Sequence, residues 1–177
     1  MSETSKLHKK SSPDSATVYV VTCSTSKFRQ LRAKQQPSDE SGDIIEQLAV
    51  SAGNRIAGRR LISDSKPMIR KATRDALSNR DVDVVIITGG TGLSSTDVTF
   101  EAISPLLDRE IPGFGELFRK ISFDEIGSAA MMSRAFAGVI KRRAIFCLPG
   151  SPNAVRTAME KLILPELGHI IGLAYGP

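Results

Sequence analysis

Three short runs constrain this chain more than any other feature: Thr17–Cys23 (TVYVVTC), Val84–Thr88 (VVIIT) and residues 144–148 (AIFCL). Each is β-branched or apolar almost throughout and has no polar face. A strand of that kind must be covered on both sides, as the central strands of a parallel sheet are. Helical periodicity fills the spaces between them. Ile44, Ile45, Leu48 and Ala52 mark one helix, closed by Gly53-Asn54, and Arg55–Ile62 reads as a further strand. Ser65 and Pro67 open a helix with Met68, Ile69, Ala72, Ala76 and Leu77 on one face. Residues 97–107, despite Pro105, and residues 115–126 read as two more helices. The last helix has Ser151 as cap and Pro152 at its first position; Ala154, Val155, Ala158, Met159, Leu162 and Ile163 share a face, and it is expected to stop at Pro165. Residues 138–140 and 144–148 flank Lys141-Arg142-Arg143, which predicts a hairpin and one antiparallel strand. Residues 24–40, with Lys27, Arg29, Arg32 and Lys34, are expected to form a long basic loop. The fold class is therefore α/β: a single three-layer domain over 17–177 with a mostly parallel twisted sheet, preceded by a disordered polar tail over 1–16.

Composition removes several function classes. No run approaches the ~18 apolar residues of a membrane span. The opening MSETSKLHKK lacks the apolar stretch of a secretory signal, which points to a cytoplasmic protein. Two cysteines, Cys23 and Cys147, do not match zinc spacing and read as core; two histidines, His8 and His169, rule out a His-rich metal site. His169 and the pair Met131-Met132 read as structural packing, and Lys141-Arg142-Arg143 as a solvated hairpin tip. The 24 basic residues exceed the 19 acidic ones by five, which on its own suggests nucleic acid. However, residues 1–80 hold 15 basic and 8 acidic residues, whereas 81–177 hold 9 and 11. The surplus is regional, and no aromatic ladder accompanies it, so a nucleic-acid partner is not expected.

Ligands of such sheets bind beyond the carboxyl ends of the strands. Three features fall there. Thr88-Gly89-Gly90-Thr91-Gly92 follows an apolar strand and leads through residues 93–96 to Asp97. Three glycines in four positions allow a sharp turn and a close backbone approach to phosphate. They equally suit a bare strand-to-helix turn, and the spacing is neither a Walker A loop nor GxGxxG. Leu148-Pro-Gly150-Ser151-Pro-Asn153 is a second loop of the same kind, in which Ser151 serves either a ligand or its own helix. Asp64 and Asp97 supply carboxylates at the same edge, either as helix caps or as ligands of a Mg²⁺ shared with nucleotide oxygens. The segment Arg109-Glu110 through Glu116 (REIPGFGE) is too particular for an ordinary turn, yet its chemistry assigns it no role.

Taken in order, TGGTGLSSTDVTFEA, DREIPGFGELFR and LPGSPNAV resemble the family of molybdenum cofactor biosynthesis protein B and the molybdopterin adenylyltransferases, which share the fold of the gephyrin G domain. The resemblance spans roughly residues 17–173 and is nearest to the protein B branch, through Ser24-Thr25-Ser26-Lys27 and Asp39-Glu40-Ser41-Gly42-Asp43. It implies Mg²⁺-dependent transfer of AMP from ATP to the terminal phosphate of molybdopterin, with release of pyrophosphate. It further implies that Thr88, Gly89, Gly90, Thr91 and Gly92 cradle phosphate and that Asp64 and Asp97 handle the metal and catalysis. By the same resemblance, Ser41 and Gly42 lie near the nucleotide, and Gly150, Ser151 and Asn153 bind the pterin. A homotrimer or homohexamer is the implied assembly.

The chain departs from the family pattern in three places. Thr96 stands where many active members have Arg before the second aspartate, and Phe100 stands where they have Pro. Thr25 follows Ser24 where many have Asp. The missing Arg removes one cation, for which Lys27 or Arg29 could substitute. These departures leave open an alternative, a non-catalytic molybdopterin-binding or assembly protein of the same fold.

Overall fold

The structure, a computed structural model, describes residues 13–175. Most of the expected tail, residues 1–12 with His8, lies outside the described residues. Ala16 is already buried, and its N–H donates to the Asn54 side chain.

Six strands form one sheet among the described residues: β1 (Thr17–Cys23), β2 (Arg55–Ile62), β3 (Val84–Thr88), β4 (Arg109–Glu110), β5 (Phe136–Ile140) and β6 (Arg143–Leu148). Their spatial order is β2-β1-β3-β6-β5-β4. β1, β2, β3 and β6 are parallel; β5 runs against both β6 and β4, so it is the reversed strand that the hairpin predicted. The hairpin turns on Lys141 and Arg142, both at positive φ.

The helices are α1 (Thr25–Arg32), α2 (Glu40–Ser51), α3 (Lys66–Ser78), α4 (Thr99–Ile103), α5 (Pro112–Ile126), α6 (Pro152–Ala158) and α7 (Leu164–Tyr175). Alternate residues of the central strands feed two separate cores, as the two-residue period of a strand requires. On one face Val18, Val20, Val84, Ile86 and Phe146 pack with α2, α5, α6 and α7. On the other, Val21, Val85, Ile87 and Cys147 pack with Ile69, Ala72 and Ala76 of α3 and with Ala102 and Ile103 of α4. This gives three layers, the sheet between two helical layers.

Four expectations need correction. Residues 24–40 are not one loop, because α1 occupies Thr25–Arg32; Ser24 caps it, its side chain accepting from the Lys27 N–H at 3.4 Å. None of its residues is buried, so no apolar stripe announces it. The last helix does not stop at Pro165. A π turn over Met159–Ile163 widens the helix just ahead of that proline, and the chain continues helical to Tyr175. The helix expected from Asp97 begins at Thr99 and tightens over Ser104–Leu106, where Pro105 sits. Met131 and Met132, read as packing, are 79% and 51% exposed.

Candidate functional site

Order reverses beside β1: its connection to β2 leaves on one side, while β3 lies on the other. Loops at such a reversal diverge and open a crevice at the carboxyl ends of the strands. A cleft of about 480 Å³ lies there. The ends of β1, β2, β3 and β6 line it: Thr22 and Cys23 at the end of β1 with Ser24 beyond it, Asp64 after β2, Thr88 at the end of β3 with Gly89–Gly92 and Asp97 beyond it, and Pro149, Gly150 and Ser151 after β6. Ser41 from α2, Lys27 from α1 and Ser133 complete the wall.

The glycine loop has the shape its sequence predicts. Gly89 and Gly90 take φ of +98° and +66°, in the left-handed region that a side chain rarely tolerates. A Cβ at Gly89 would lie 2.2 Å from the Cys23 carbonyl oxygen, so no other residue fits between β1 and β3 at that point. The Gly89 N–H donates to the Leu148 carbonyl at 3.0 Å. The N–H groups of Gly90, Thr91 and Gly92 have no acceptor among the described residues, and neither do those of Gly150 and Ser151 across the cleft. Two sets of unpaired backbone donors thus border one cavity, the arrangement that binds phosphate oxygens.

The loops are fastened to one another by hydroxyls. Thr88 Oγ1 donates to the Pro149 carbonyl, Ser41 Oγ to the Gly150 carbonyl and Thr99 Oγ1 to the Gly89 carbonyl, each at 2.8 Å. Thr88 and Ser41 are buried, and their protons are committed to holding the walls. Ser151 is different: it stands at the N-cap of α6 but its side chain makes no capping bond, leaving the hydroxyl at the cleft.

Neither candidate carboxylate caps its helix. Ser65, not Asp64, caps α3, and α4 has no side-chain cap. Asp97 Oδ2 instead accepts from the Ser94 N–H at 3.0 Å and closes the turn between the glycine loop and α4. Asp64 Oδ2 accepts from the Thr25 N–H at 2.6 Å and the Thr25 hydroxyl at 2.9 Å. Among the described residues neither Oδ1 has a hydrogen-bond donor, and both aspartates line the cleft. Oxygen ligands of this kind suit Mg²⁺, which commonly takes one or two carboxylates plus substrate phosphates. Among the described residues no three His, Cys, Asp or Glu side chains gather into a metal cage, so an ion here would be shared with a ligand's oxygens.

Cations stand at two positions. Lys27 lines the cleft, its Nζ 4.0 Å from Asp39 Oδ1. Burial pushes the Asp39 carboxyl upward, but hydrogen bonds and charge from Arg59 outweigh it and hold the acid below its ordinary range. Gly42 is packed under that same guanidinium at the start of α2, outside the cleft lining. Arg134, which the sequence did not single out, holds the glycine loop from behind. Its guanidinium donates to the carbonyls of Gly92 (2.8 Å) and Asp97 (2.7 Å) and pairs with the Glu101 carboxylate. Arg29 does not line the cleft. Asn153 is also outside: its amide donates to Glu125 Oε2 at 3.0 Å. Cys23 reaches the cleft, but burial pushes its thiol up to about 12; the Thr99 hydroxyl opposes this shift and the Asp64 charge adds to it. A thiol so held is no nucleophile.

Fold and cleft together define a class: a three-layer α/β domain with a switch-point cleft of unpaired backbone donors, two carboxylates and a lysine. Residues 19–169 match the family described as "Probable molybdopterin binding domain". Molybdenum cofactor biosynthesis protein B of Bacillus cereus is 46% identical over 164 residues, 92% of this chain and 93% of that protein. A crystal structure of a molybdenum cofactor biosynthesis protein B superposes with a TM-score of 0.85 at 44% identity, covering 93% of this chain and 99% of the other. The tungsten cofactor synthesizing protein MoaB from Pyrococcus furiosus gives 0.82 at 36% identity, covering 92% and 99%. The chain belongs to the molybdopterin-binding-domain family of molybdenum cofactor biosynthesis protein B.

Proposed function

We propose that this protein acts in the cytoplasm in molybdenum cofactor biosynthesis, binding molybdopterin in the switch-point cleft and adenylylating it from ATP. The observation that carries the proposal is the facing pair of unpaired backbone donor sets, Gly90–Gly92 and Gly150–Ser151, at one cavity with two carboxylates. An oxygen of the molybdopterin phosphate attacks the α-phosphorus of ATP. The bond from that phosphorus to the bridging oxygen breaks, and pyrophosphate leaves with the electron pair. Such a nucleophile is already charged and needs no Ser–His relay, in keeping with a cleft that lacks histidine and whose cysteine is protonated. The chain's own part is positioning and charge stabilisation. Backbone N–H groups hold phosphate oxygens, Lys27 supplies the cation that Thr96 does not, and Ser151 offers a hydroxyl to the second substrate. Asp64 and Asp97 would hold Mg²⁺, whose role when bound is to neutralise the developing phosphoryl charge. Assembly into a trimer or hexamer belongs to the same reading; exposed Leu117, Phe123, Ile126, Met131 and Met132 on α5 and the turn after it supply apolar surface for it.

The test is direct. Purified protein, molybdopterin and Mg·ATP should yield adenylylated molybdopterin and equimolar pyrophosphate, and Asp97→Ala should lower turnover by about 10²-fold or more. No product above the enzyme-free control across a range of Mg²⁺ concentrations would overturn it. Tight pterin binding without pyrophosphate release would indicate the binding-only alternative instead.

A further inference from the structure

α1 is the least anchored helix of the fold: none of its eight residues is buried. What fastens its start is a cluster of hydrogen bonds to the end of β2. The Ser24 N–H donates to the Ile62 carbonyl at 2.8 Å. The remaining contacts converge on Thr25. Its N–H and its hydroxyl both donate to Oδ2 of Asp64, its hydroxyl oxygen accepts from the Asp64 N–H at 3.1 Å, and Ser63 Oγ lies 2.9 Å away. A threonine hydroxyl has one proton. With that proton on Asp64, the Ser63 hydroxyl must donate to Thr25, which fixes the direction of the whole chain of bonds.

The consequence concerns the other oxygen. Because Oδ2 accepts both the N–H and the hydroxyl of Thr25, the carboxylate is oriented with Oδ1 beside Gly90, 3.2 Å from where a Cβ on that glycine would stand. Any side chain at Gly90 would crowd that oxygen. The geometry points to Thr25 as a positioning residue that presents Asp64 Oδ1 to the glycine loop. This inference rests on the reading of Asp64 as a metal-holding carboxylate. It also gives the Thr25 departure a physical role: an acid at this position would place a like charge against Asp64, whereas threonine offers a donor.

Three variants test it: Thr25→Val, which keeps shape and backbone N–H but loses the hydroxyl; Thr25→Ser, which restores the hydroxyl; and Asp64→Asn as reference. Mn²⁺ binding to the full chain, with ATP as the probe, is followed by electron paramagnetic resonance; turnover with Mg²⁺ is measured separately, and thermal unfolding checks that each variant folds. Thr25→Val should weaken Mn²⁺ binding about tenfold, within the range for losing a partner that orients a metal ligand, and Thr25→Ser should recover it. In turnover, Thr25→Val should lower kcat and raise the Mg²⁺ needed for half-saturation while leaving the KM for molybdopterin unchanged. Wild-type Mn²⁺ affinity in Thr25→Val alongside weakened binding in Asp64→Asn would overturn the positioning role. Absence of any Asp64-dependent Mn²⁺ binding would overturn it equally. Absence of wild-type turnover, with Asp64-dependent Mn²⁺ binding intact, would count against adenylylation and leave the Mn²⁺ comparison to decide on Thr25.

Discussion

Cys23 shows at the residue scale how position decides chemistry. It ends β1 inside the cleft, where a cysteine invites the role of nucleophile, yet it is 5% exposed and its thiol is pushed from 9.0 up to about 12. At pH 8 the folded protein should therefore react with iodoacetamide at Cys23 about a thousandfold more slowly than the unfolded chain does. The same shift predicts a sign for stability. The unfolded thiol ionises near 9 while the folded one does not, so the contribution is complete below pH 9 and is lost as pH rises toward 12. Mass spectrometry of labelled peptides and urea unfolding from pH 8 to 11 measure the two effects. Other residues lining the cleft were legible from type and place: glycines and aspartates in the loops that leave the carboxyl ends of the strands fall at the ligand edge of a parallel sheet. Arg134 was not legible. Its bonds to Gly92 and Asp97 span 42 and 37 positions, and nothing near it in the chain marks it. The orientation of Asn153 was hidden for the opposite reason: adjacency to Ser151 does not fix direction, and on α6 its amide faces Glu125.

Elements were legible where burial writes a period into the sequence. β1, β3 and β6 are buried along nearly their whole length, and α3 buries Ile69, Ala72 and Ala76, so each is visible as a run or a stripe. α1 buries nothing and is held by polar contacts from a distant loop, a pattern with no sequence period. The continuation past Pro165 was hidden because the π turn that accommodates it has no residue signature, although Leu167 and Ile171 continue the buried face. The link between Arg134, two residues before β5, and the glycine loop can be tested directly. Arg134 bonds two loop carbonyls and pairs with Glu101, whose carboxyl its hydrogen bonds hold below the ordinary range. In Arg134→Gln, the Glu101 pKa should rise back toward its ordinary value, and the amides of residues 94–97 should exchange about tenfold faster. A titration followed by NMR and native-state hydrogen exchange report these. Unchanged exchange would mean the loop holds its shape by its own turns.

Across the whole molecule, chemistry and cohesion occupy opposite edges of the sheet. The carboxyl edge carries the cleft and its unpaired donors. At the amino edge, Asp83 just before β3 closes the other end: its Oδ2 accepts from the Thr17 N–H at 2.8 Å, its backbone bonds Thr17 and Ala144, and its Oδ1 accepts from the Tyr175 hydroxyl. Arg143 lies over the Tyr175 ring, 5.2 Å from its centroid. One aspartate thereby ties β1, β3 and β6 to the end of α7. The surplus of positive charge falls in the first 80 residues, which also provide Lys27 at the cleft. This separation of edges predicts that stability and ligand binding can be changed independently. Tyr175→Phe keeps the ring under Arg143 and removes the hydroxyl, leaving Asp83 Oδ1 without its donor. The loss of a hydrogen bond to a charged acceptor, roughly 1.5 kcal/mol, should lower Tm by about 3–6 °C in a chain of this size. Substrate affinity and turnover at 25 °C should not change, because no residue of the clasp borders the cleft. A fall in substrate affinity or turnover in Tyr175→Phe at 25 °C, with the protein still folded, would show that the two edges are mechanically coupled through the strands, and the separation would not hold.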